Sequence, residues 1–152
     1  MDKQNQFVVF TLDEQRFGLE LTAVERVVRR VEITPLPKAP EIVLGVVNVR
    51  GRVIPVVDIR RRFRLPERRP ALSDQIIIAR TAQRAVALAV DATIEVLDRP
   101  QEDMIEALRV LPGIEYVEGV LKLEDGLILI HDLNRFLSLE EEAALDRAAE
   151  SA

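Results

Sequence analysis

The 152-residue sequence contains no cysteine, so disulfides, thiolate metal sites and cysteine nucleophiles are all excluded. His131 is the only histidine, which leaves carboxylates as the other candidate metal ligands, and they form no cluster with ligand spacing. No apolar run approaches the roughly 20 residues that span a bilayer, and the N-terminal residues MDKQNQ lack the apolar core of a signal peptide. These absences predict a cytoplasmic protein that folds without disulfides and without a metal.

Groups that could perform catalysis are equally scarce. The six glycines are scattered, and none has the spacing of a nucleotide-binding loop. His131 lies inside the apolar run Leu127 to Leu133, and no serine has a plausible local base. We therefore expect His131 to be a structural strand residue rather than a general base, and the protein not to be an enzyme.

Two similar segments dominate what is present. The first is Gly45 to Arg60, GVVNVRGRVIPVVDIR, and the second is Gly119 to Asn134, GVLKLEDGLILIHDLN. In each segment a glycine opens an apolar strand, and a second glycine, Gly51 or Gly126, occupies the turn before another apolar strand. The pattern predicts a β-hairpin that occurs twice, because glycine adopts the positive φ of tight turns at little cost.

Each of these hairpins follows another predicted hairpin at a similar distance. Phe7 to Leu21 and Gln75 to Val90 carry alternating or β-branched apolar residues, which favour strands. A short amphipathic element follows each one, at residues 24–27 and 94–97. One small all-β module therefore occurs twice, as a pair of small barrels rather than as a solenoid, which needs shorter and more numerous repeats.

The net charge of −5 conceals a basic cluster. Eight arginines fall between Arg50 and Arg69, with only Asp58 and Glu67 of opposite sign among them. Such a cluster could bind nucleic acid, but only Phe63 offers a base a stacking surface there. A solvated loop and strand end, or an acidic protein partner, are the alternatives.

The C-terminal residues 138–152 predict a helix and tail. Ser138 and Glu141 have the spacing of a capping box, and Glu140 to Glu142 place negative charge at the positive end of the helix dipole. We expect Leu139, Ala143 and Leu145 to pack against the barrels.

The segment NVRGRVIPVVDIRRRF resembles the hallmark of the CheW family, the adaptors of bacterial chemosensory arrays. The segments EYVEGVLKLEDGLILIHDLNRFL and FVVFTLDEQRFGLEL are similar to that family's closing and opening hairpins, so the resemblance runs from about Phe7 to about Leu145. It implies an all-β fold of two intertwined five-stranded SH3-like barrels in a single domain over residues 1–152. The approximate halves would be 15–70 and 71–137, with strand 6–13 a candidate for sharing with the second half.

The resemblance also implies the partners and the absence of a catalytic site or cofactor. Family members bind the regulatory domain of the histidine kinase CheA and the cytoplasmic tip of chemoreceptors. This chain would therefore lie at the inner face of the membrane through receptor arrays, without touching membrane or nucleic acid, and ring-forming self-association stays open. The alternatives are a module cut from a larger protein of the CheA or CheV type, or an SH3-like nucleic-acid binder that uses the arginines.

Site residues follow from the resemblance position by position. Those matching the family's receptor-binding groove are Val24, Gly45, Arg50 and Val96. Each has a structural alternative. The valines could be core residues, and Gly45 could be required only for its backbone angles. Arg50 could fix the hairpin by pairing with Asp58 or a nearby carbonyl. The nominated kinase-binding residues are Val43, Leu44 and the turn from Phe10 to Glu14.

Overall fold

The computed structural model describes residues 4–29, 31–68, 71, 73–106 and 116–151. Within these ranges eleven strands form one six-stranded and one five-stranded sheet. The strands are β1 (Gln4–Leu12), β2 (Gln15–Glu20), β3 (Val24–Arg29), β4 (Val43–Val49), β5 (Arg52–Val57), β6 (Gln75–Arg80), β7 (Ala85–Val90), β8 (Ala92–Pro100), β9 (Met104–Glu106), β10 (Val117–Leu123) and β11 (Gly126–His131). The α-helices in these ranges are α1 (Ile59–Arg62) and α2 (Leu139–Ser151), and three short 3-10 helices cover Leu21–Ala23, Gln101–Asp103 and Leu133–Arg135. The fold is therefore mostly strands and all-β, as predicted.

All four predicted hairpins are present as antiparallel pairs: β1 with β2, β4 with β5, β6 with β7 and β10 with β11. The β4–β5 loop has only two residues, Arg50 and Gly51, with φ values of 52° and 84°. The β1–β2 loop, Asp13 and Glu14, likewise has φ values of 51° and 69°. Two consecutive positive φ values are typical of type I′ turns, whose twist matches that of the flanking strands.

The two sheets repeat one strand order. The first sheet runs β8-β1-β2-β11-β10-β9, and the second runs β3-β6-β7-β5-β4. A parallel contact joins the two hairpins of each sheet, β2 with β11 in the first and β7 with β5 in the second. The duplication seen in the sequence is therefore a duplication of sheet topology.

The sheets are intertwined because each first hairpin sends its next strand into the other sheet. β3 follows β2 in the chain but pairs with β6, whereas β8 follows β7 but pairs with β1. The short amphipathic elements of the sequence are thus parts of exchanged outer strands. Each sheet takes strands from both halves of the chain. The division into approximate halves 15–70 and 71–137 stays a prediction. The first sheet has a sixth strand because β9 pairs beside β10.

Three clusters of buried side chains hold the sheets together. One cluster belongs to the first sheet and includes Phe7, Val9 and Ile130, and another belongs to the second sheet and includes Val47, Ile54 and Ile78. The third and largest contains residues of both sheets, among them Phe10, Leu19, Ile77 and Leu88. Each sheet therefore encloses a small core of its own, and the shared cluster joins the two, which matches a pair of small barrels.

The helix α2 begins with the predicted capping box. The Ser138 backbone N–H donates to Glu141 Oε1 at 2.8 Å, and the Glu141 N–H donates to Ser138 Oγ at 3.1 Å. The expected packing face is correct for Leu145, which is buried, but wrong for Ala143 and for Leu139, which is 89% exposed. The helix instead buries Leu145 with Ala148, a spacing of three residues on one helix face.

No helix in the described ranges combines the length and apolar character needed to cross a lipid bilayer. Some residues with sequence predictions lie outside the described ranges. They include residue 69 of the arginine cluster, residue 70 at the end of the first predicted half, and residue 152 at the end of the predicted helix and tail.

Candidate functional site

The outer strands β3 and β8 carry the two valines that the sequence nominates for receptor binding. Val96, in β8, is 52% exposed, and Ile94 beside it is 51% exposed. Val24, at the start of β3, is partly buried and packs against the shared core cluster. The exposed apolar surface is therefore centred on β8, while Val24 serves the core to a large extent.

Ile94 was not among the nominated residues. The signal that could have identified it is the apolar pair in the sequence Ile94-Glu95-Val96, which lies on an outer strand with its second edge unpaired within the described residues. Such an edge can accept a further strand or dock a helix.

Arg50 stands in the two-residue turn between β4 and β5, where it is exposed and has no ion pair within the described residues. The suggested pairing with Asp58 is not formed, because the Asp58 carboxylate accepts from the Arg61 backbone N–H at 3.1 Å and caps α1. Arg50 is thus available to a partner.

An ion pair fixes this turn against the beginning of β3. Arg52 Nη1 lies 2.8 Å from Glu25 Oε2, and Arg80 reaches the other oxygen at 4.0 Å. The hydrogen bond from Arg52 holds the pKa of Glu25 below its usual range. Because Glu25 adjoins Val24, and Arg52 is two residues from Arg50, the pair brings two nominated positions to one end of the second sheet.

Gly45 has a structural function that requires glycine. It lies buried in β4 at a register shift, with φ +154°, and a Cβ there would fall 2.3 Å from the Thr34 carbonyl oxygen. Thr34 and Val46 exchange two backbone hydrogen bonds of 2.8 Å each, which hold the Thr34 segment against the strand. Gly119 is its counterpart in the second repeat, because a Cβ there would lie 2.9 Å from the Ile105 carbonyl oxygen.

The residues nominated for kinase binding divide into exposed and buried ones. Leu44 is 43% exposed and Glu14 is exposed in its turn, but Val43 is 8% exposed and Phe10 is fully buried. β1 continues to Leu12, so the turn comprises only Asp13 and Glu14, and Phe10 pairs across the hairpin with Phe17. Phe10 and Val43 are therefore core residues, and only Leu44 and Glu14 are exposed to a partner.

The arginine cluster is largely neutralised within the protein. Arg61 pairs with Glu41 at 2.7 Å, Arg62 pairs with Glu141 of α2, and Arg60 Nη2 lies 2.7 Å from Asp13 Oδ1. These carboxylates are distant in sequence, which is why the cluster looked unopposed there. Nucleic-acid binding by this cluster loses much of its support, since it requires charge that is free to meet phosphates.

Asp91 is the centre of this network. Its carboxylate accepts from Arg60 Nη2 at 2.9 Å, from Arg68 Nη2, and from the backbone N–H of Asp13 at 2.8 Å. Partial burial opposes its ionisation, but these three donors hold its pKa below the usual range. The network joins the β1–β2 turn and the β7–β8 connection to the segment around α1.

His131 is buried in an aromatic cage formed by Phe10, Phe17, Phe63 and Phe136, with the Phe63 ring stacked at 4.3 Å between centroids. Neither ring nitrogen has a hydrogen-bond partner among the described residues, and burial lowers the pKa of His131 to about 3. The histidine is therefore a neutral core residue, as expected. In the described part of the chain no three His, Cys, Asp or Glu residues are grouped so that they could hold a metal ion.

Comparisons with known proteins agree with this architecture. The family model described as "CheW-like domain" matches residues 6–141. The chemotaxis protein CheW of Rhizobium meliloti is 33% identical over 91% of this chain and 92% of its own length. That of Treponema pallidum is 28% identical over 92% of this chain and 86% of its own length.

A solved structure shows the same fold. The crystal structure of the scaffolding protein TtCheW from Thermoanaerobacter tengcongensis superimposes with a TM-score of 0.82 at 32% identity, covering 93% of this chain and 96% of that one. This relative is named as a scaffolding protein, which agrees with the expectation that this chain is not an enzyme. With a family match over nearly its whole length and a relative of the same fold, the chain belongs to the CheW-like domain family.

Proposed function

We propose that this protein is a chemotaxis adaptor that couples the cytoplasmic tips of chemoreceptors to the histidine kinase CheA, at the inner face of the membrane. The observation that carries the proposal is the family match over residues 6–141, with relatives named as chemotaxis and scaffolding proteins. The two-sheet fold suits such a function, because it leaves strand edges and apolar side chains exposed for partner proteins.

The receptor surface lies on β8 and the turn that contains Arg50. Ile94 and Val96 supply apolar area on an outer strand, which suits the apolar stripe of a partner helix. Arg50 adds a guanidinium that can donate two hydrogen bonds to a carboxylate or a carbonyl. Val24 and Gly45 contribute indirectly. Val24 packs against the core, and Gly45 permits the close approach of Thr34.

The kinase surface uses Leu44 and Glu14, which are exposed, with Val43 and Phe10 beneath them. Self-association into rings through this same surface stays a prediction, because like barrels can present like faces to one another.

The test is kinase activity in a reconstitution of the cognate CheA with receptor membranes, alongside co-sedimentation. We expect activity to rise strongly on addition of the protein, which should pellet with receptor and kinase. Arg50→Glu should lose receptor co-sedimentation and kinase stimulation while its circular dichroism spectrum stays unchanged, since the side chain is exposed. Arg64→Glu is the matched control, another exposed arginine with positive φ and no ion pair among the described residues.

Two results would count against the proposal. If the wild-type protein binds neither receptor nor kinase, the adaptor function is wrong. If Arg50→Glu instead lowers the unfolding temperature by many degrees, Arg50 is structural and its assignment to the receptor surface fails.

A further inference from the structure

A cleft of about 540 Å³ opens beside α1, next to the β6–β7 hairpin. Its accessible apolar lining comes from Ile33, Leu44, Leu65 and Ala89, and the buried Ile76 and Val90 lie beneath them. Pockets for small ligands have volumes of roughly 300–1,000 Å³ and combine apolar walls with a few placed polar groups. None of the four residues nominated for receptor binding lines the cleft, and of the kinase-surface residues only Leu44 does.

Most of the charges around this cleft already have partners. Arg60 and Arg68 bind Asp91, and Arg68 also binds Asp74 at 2.8 Å. Asp58 caps α1. These groups form part of the cleft wall and need no ligand to satisfy them.

Arg64 is different, because it lines the cleft and has no ion pair within the described residues. It follows α1 with φ +57°, where its backbone N–H donates to the Arg61 carbonyl at 3.1 Å. A side-chain-bearing residue in this left-handed conformation costs about 1–2 kcal/mol, a cost that glycine would avoid. The conformation ends α1, because the Leu65 N–H donates to the Arg60 carbonyl at 2.8 Å as in a Schellman motif, and it leaves the Arg64 side chain at the cleft.

Arg61 also lines the cleft and carries a second guanidinium. Its partners are Glu41 and Glu67, whose side chains are 90% and 89% exposed. Ion pairs of this kind contribute little to stability, so a ligand can replace them at small cost.

We propose that the cleft binds a small amphiphilic carboxylate, with the anionic group held by Arg64 and Arg61 and the aliphatic body between Ile33, Ala89 and Leu65. Guanidinium groups match the planar geometry of a carboxylate, and the apolar walls remove the aliphatic chain from water. The site is separate from the receptor surface, so it stands or falls independently of the proposed adaptor function.

Octanoate is the probe, titrated into the full chain and followed by amide chemical shifts in NMR spectra, with octan-1-ol as the neutral control. We expect saturable shifts at Ile33, Ala89 and Leu65 for octanoate, and at least about tenfold weaker binding of octanol. Arg64→Gln should weaken octanoate binding at least about tenfold, as expected for loss of a charged hydrogen bond. Ala89→Leu should abolish binding by filling the cleft, and its unfolding temperature shows whether it is folded.

Arg50→Gln is the matched control, because Arg50 is also an exposed arginine with positive φ and lies outside the cleft. It should bind octanoate as the wild type does, even where it loses receptor coupling. The proposal is overturned if octanoate gives no saturable shifts, if octanol binds as well, or if the two glutamine variants lose affinity equally. A wild-type protein that binds octanoate but fails the reconstitution would refute only the adaptor function.

Discussion

The carbonyl oxygen of Thr34 lies 2.3 Å from the point that a Cβ atom at Gly45 would occupy. This contact allows the segment after β3 to hydrogen-bond to Val46 in β4, an outer strand of the second sheet. A position that matches the family's receptor-binding groove is therefore also one where the backbone admits no side chain.

Gly45→Ala should destabilise the protein by about 2–4 kcal/mol, because the methyl group meets backbone rather than a flexible side chain. Gly51→Ala is the control: φ is +84° there, but a Cβ would have nothing within 4 Å, so the loss should be only about 1 kcal/mol. Urea unfolding measures both. Equal losses would show that the Thr34 contact relaxes at little cost.

His131→Phe should stabilise the protein, and more so in acid. The wild-type imidazole is neutral when folded because burial lowers its pKa to about 3, whereas the unfolded chain binds the proton below about pH 6.5. Protonation of His131 in the unfolded chain therefore costs the wild-type protein no stability above about pH 6.5. Below that pH its free energy of unfolding falls by up to about 1.4 kcal/mol per pH unit as the pH drops toward 3.

Phenylalanine has no proton to bind and leaves no unpartnered nitrogen in the cage. Urea unfolding of both proteins from pH 4 to pH 8 should therefore show a difference in stability that widens toward acid. Carboxylates contribute equally to both proteins and cancel in the comparison. A difference in stability that stays constant across this range would show that burial does not lower the pKa of His131.

Asp91→Ala should destabilise the protein by about 2 kcal/mol, because it removes the acceptor shared by Arg60, Arg68 and the Asp13 N–H. Asp125→Ala, at a surface pair whose carboxylate side chain is 75% exposed, should cost much less, because exposed ion pairs contribute little to stability. Thermal unfolding at low and high salt compares them. If Asp91→Ala is no worse than Asp125→Ala, the network adds nothing to stability.

Neighbouring residues in β11 give a test of the strand register. Ile128 is fully buried, so Ile128→Asp places a charge in the core of the first sheet and should unfold the chain. Leu127 is 54% exposed, and Leu127→Asp should retain the native circular dichroism spectrum. Ile54 and Val53 form the same kind of pair in β5, with exposures of 2% and 66%, and should behave alike. Tolerance of a charge at Ile128 would contradict the register.

The hairpins could be predicted from the sequence because their determinants are local. Alternating apolar residues and a turn of two residues lie within about fifteen positions of one another, as in the segment from Gly45 to Arg60. The capping box of α2 was identified for the same reason. The exchange of β3 and β8 has no such local signature, since pairing partners such as Val27 and Ile77 are far apart in sequence.

The candidate site shows the same limit. The sequence predicts a turn from Phe10 to Glu14 because it does not show where β1 ends. The strand continues for two residues beyond Phe10, which is buried in the core. The arginines looked free because Asp91, Asp13 and Glu141 come from other parts of the chain. Only the three-dimensional structure shows which charges form ion pairs. In the arginine cluster it leaves Arg50 and Arg64 without an ion pair within the described residues.

The exchange of β3 and β8 has a consequence for synthesis on the ribosome. The first sheet needs strands from residues 4–20 and from residues after 91, and the second sheet cannot be finished before β7 has emerged. A nascent chain that stops after β5 therefore leaves both sheets open, with apolar edges exposed. Because strands that are distant in sequence pair slowly, each hairpin stays without its partner strands until those have been synthesised. Neither repeat released alone should reach the native state.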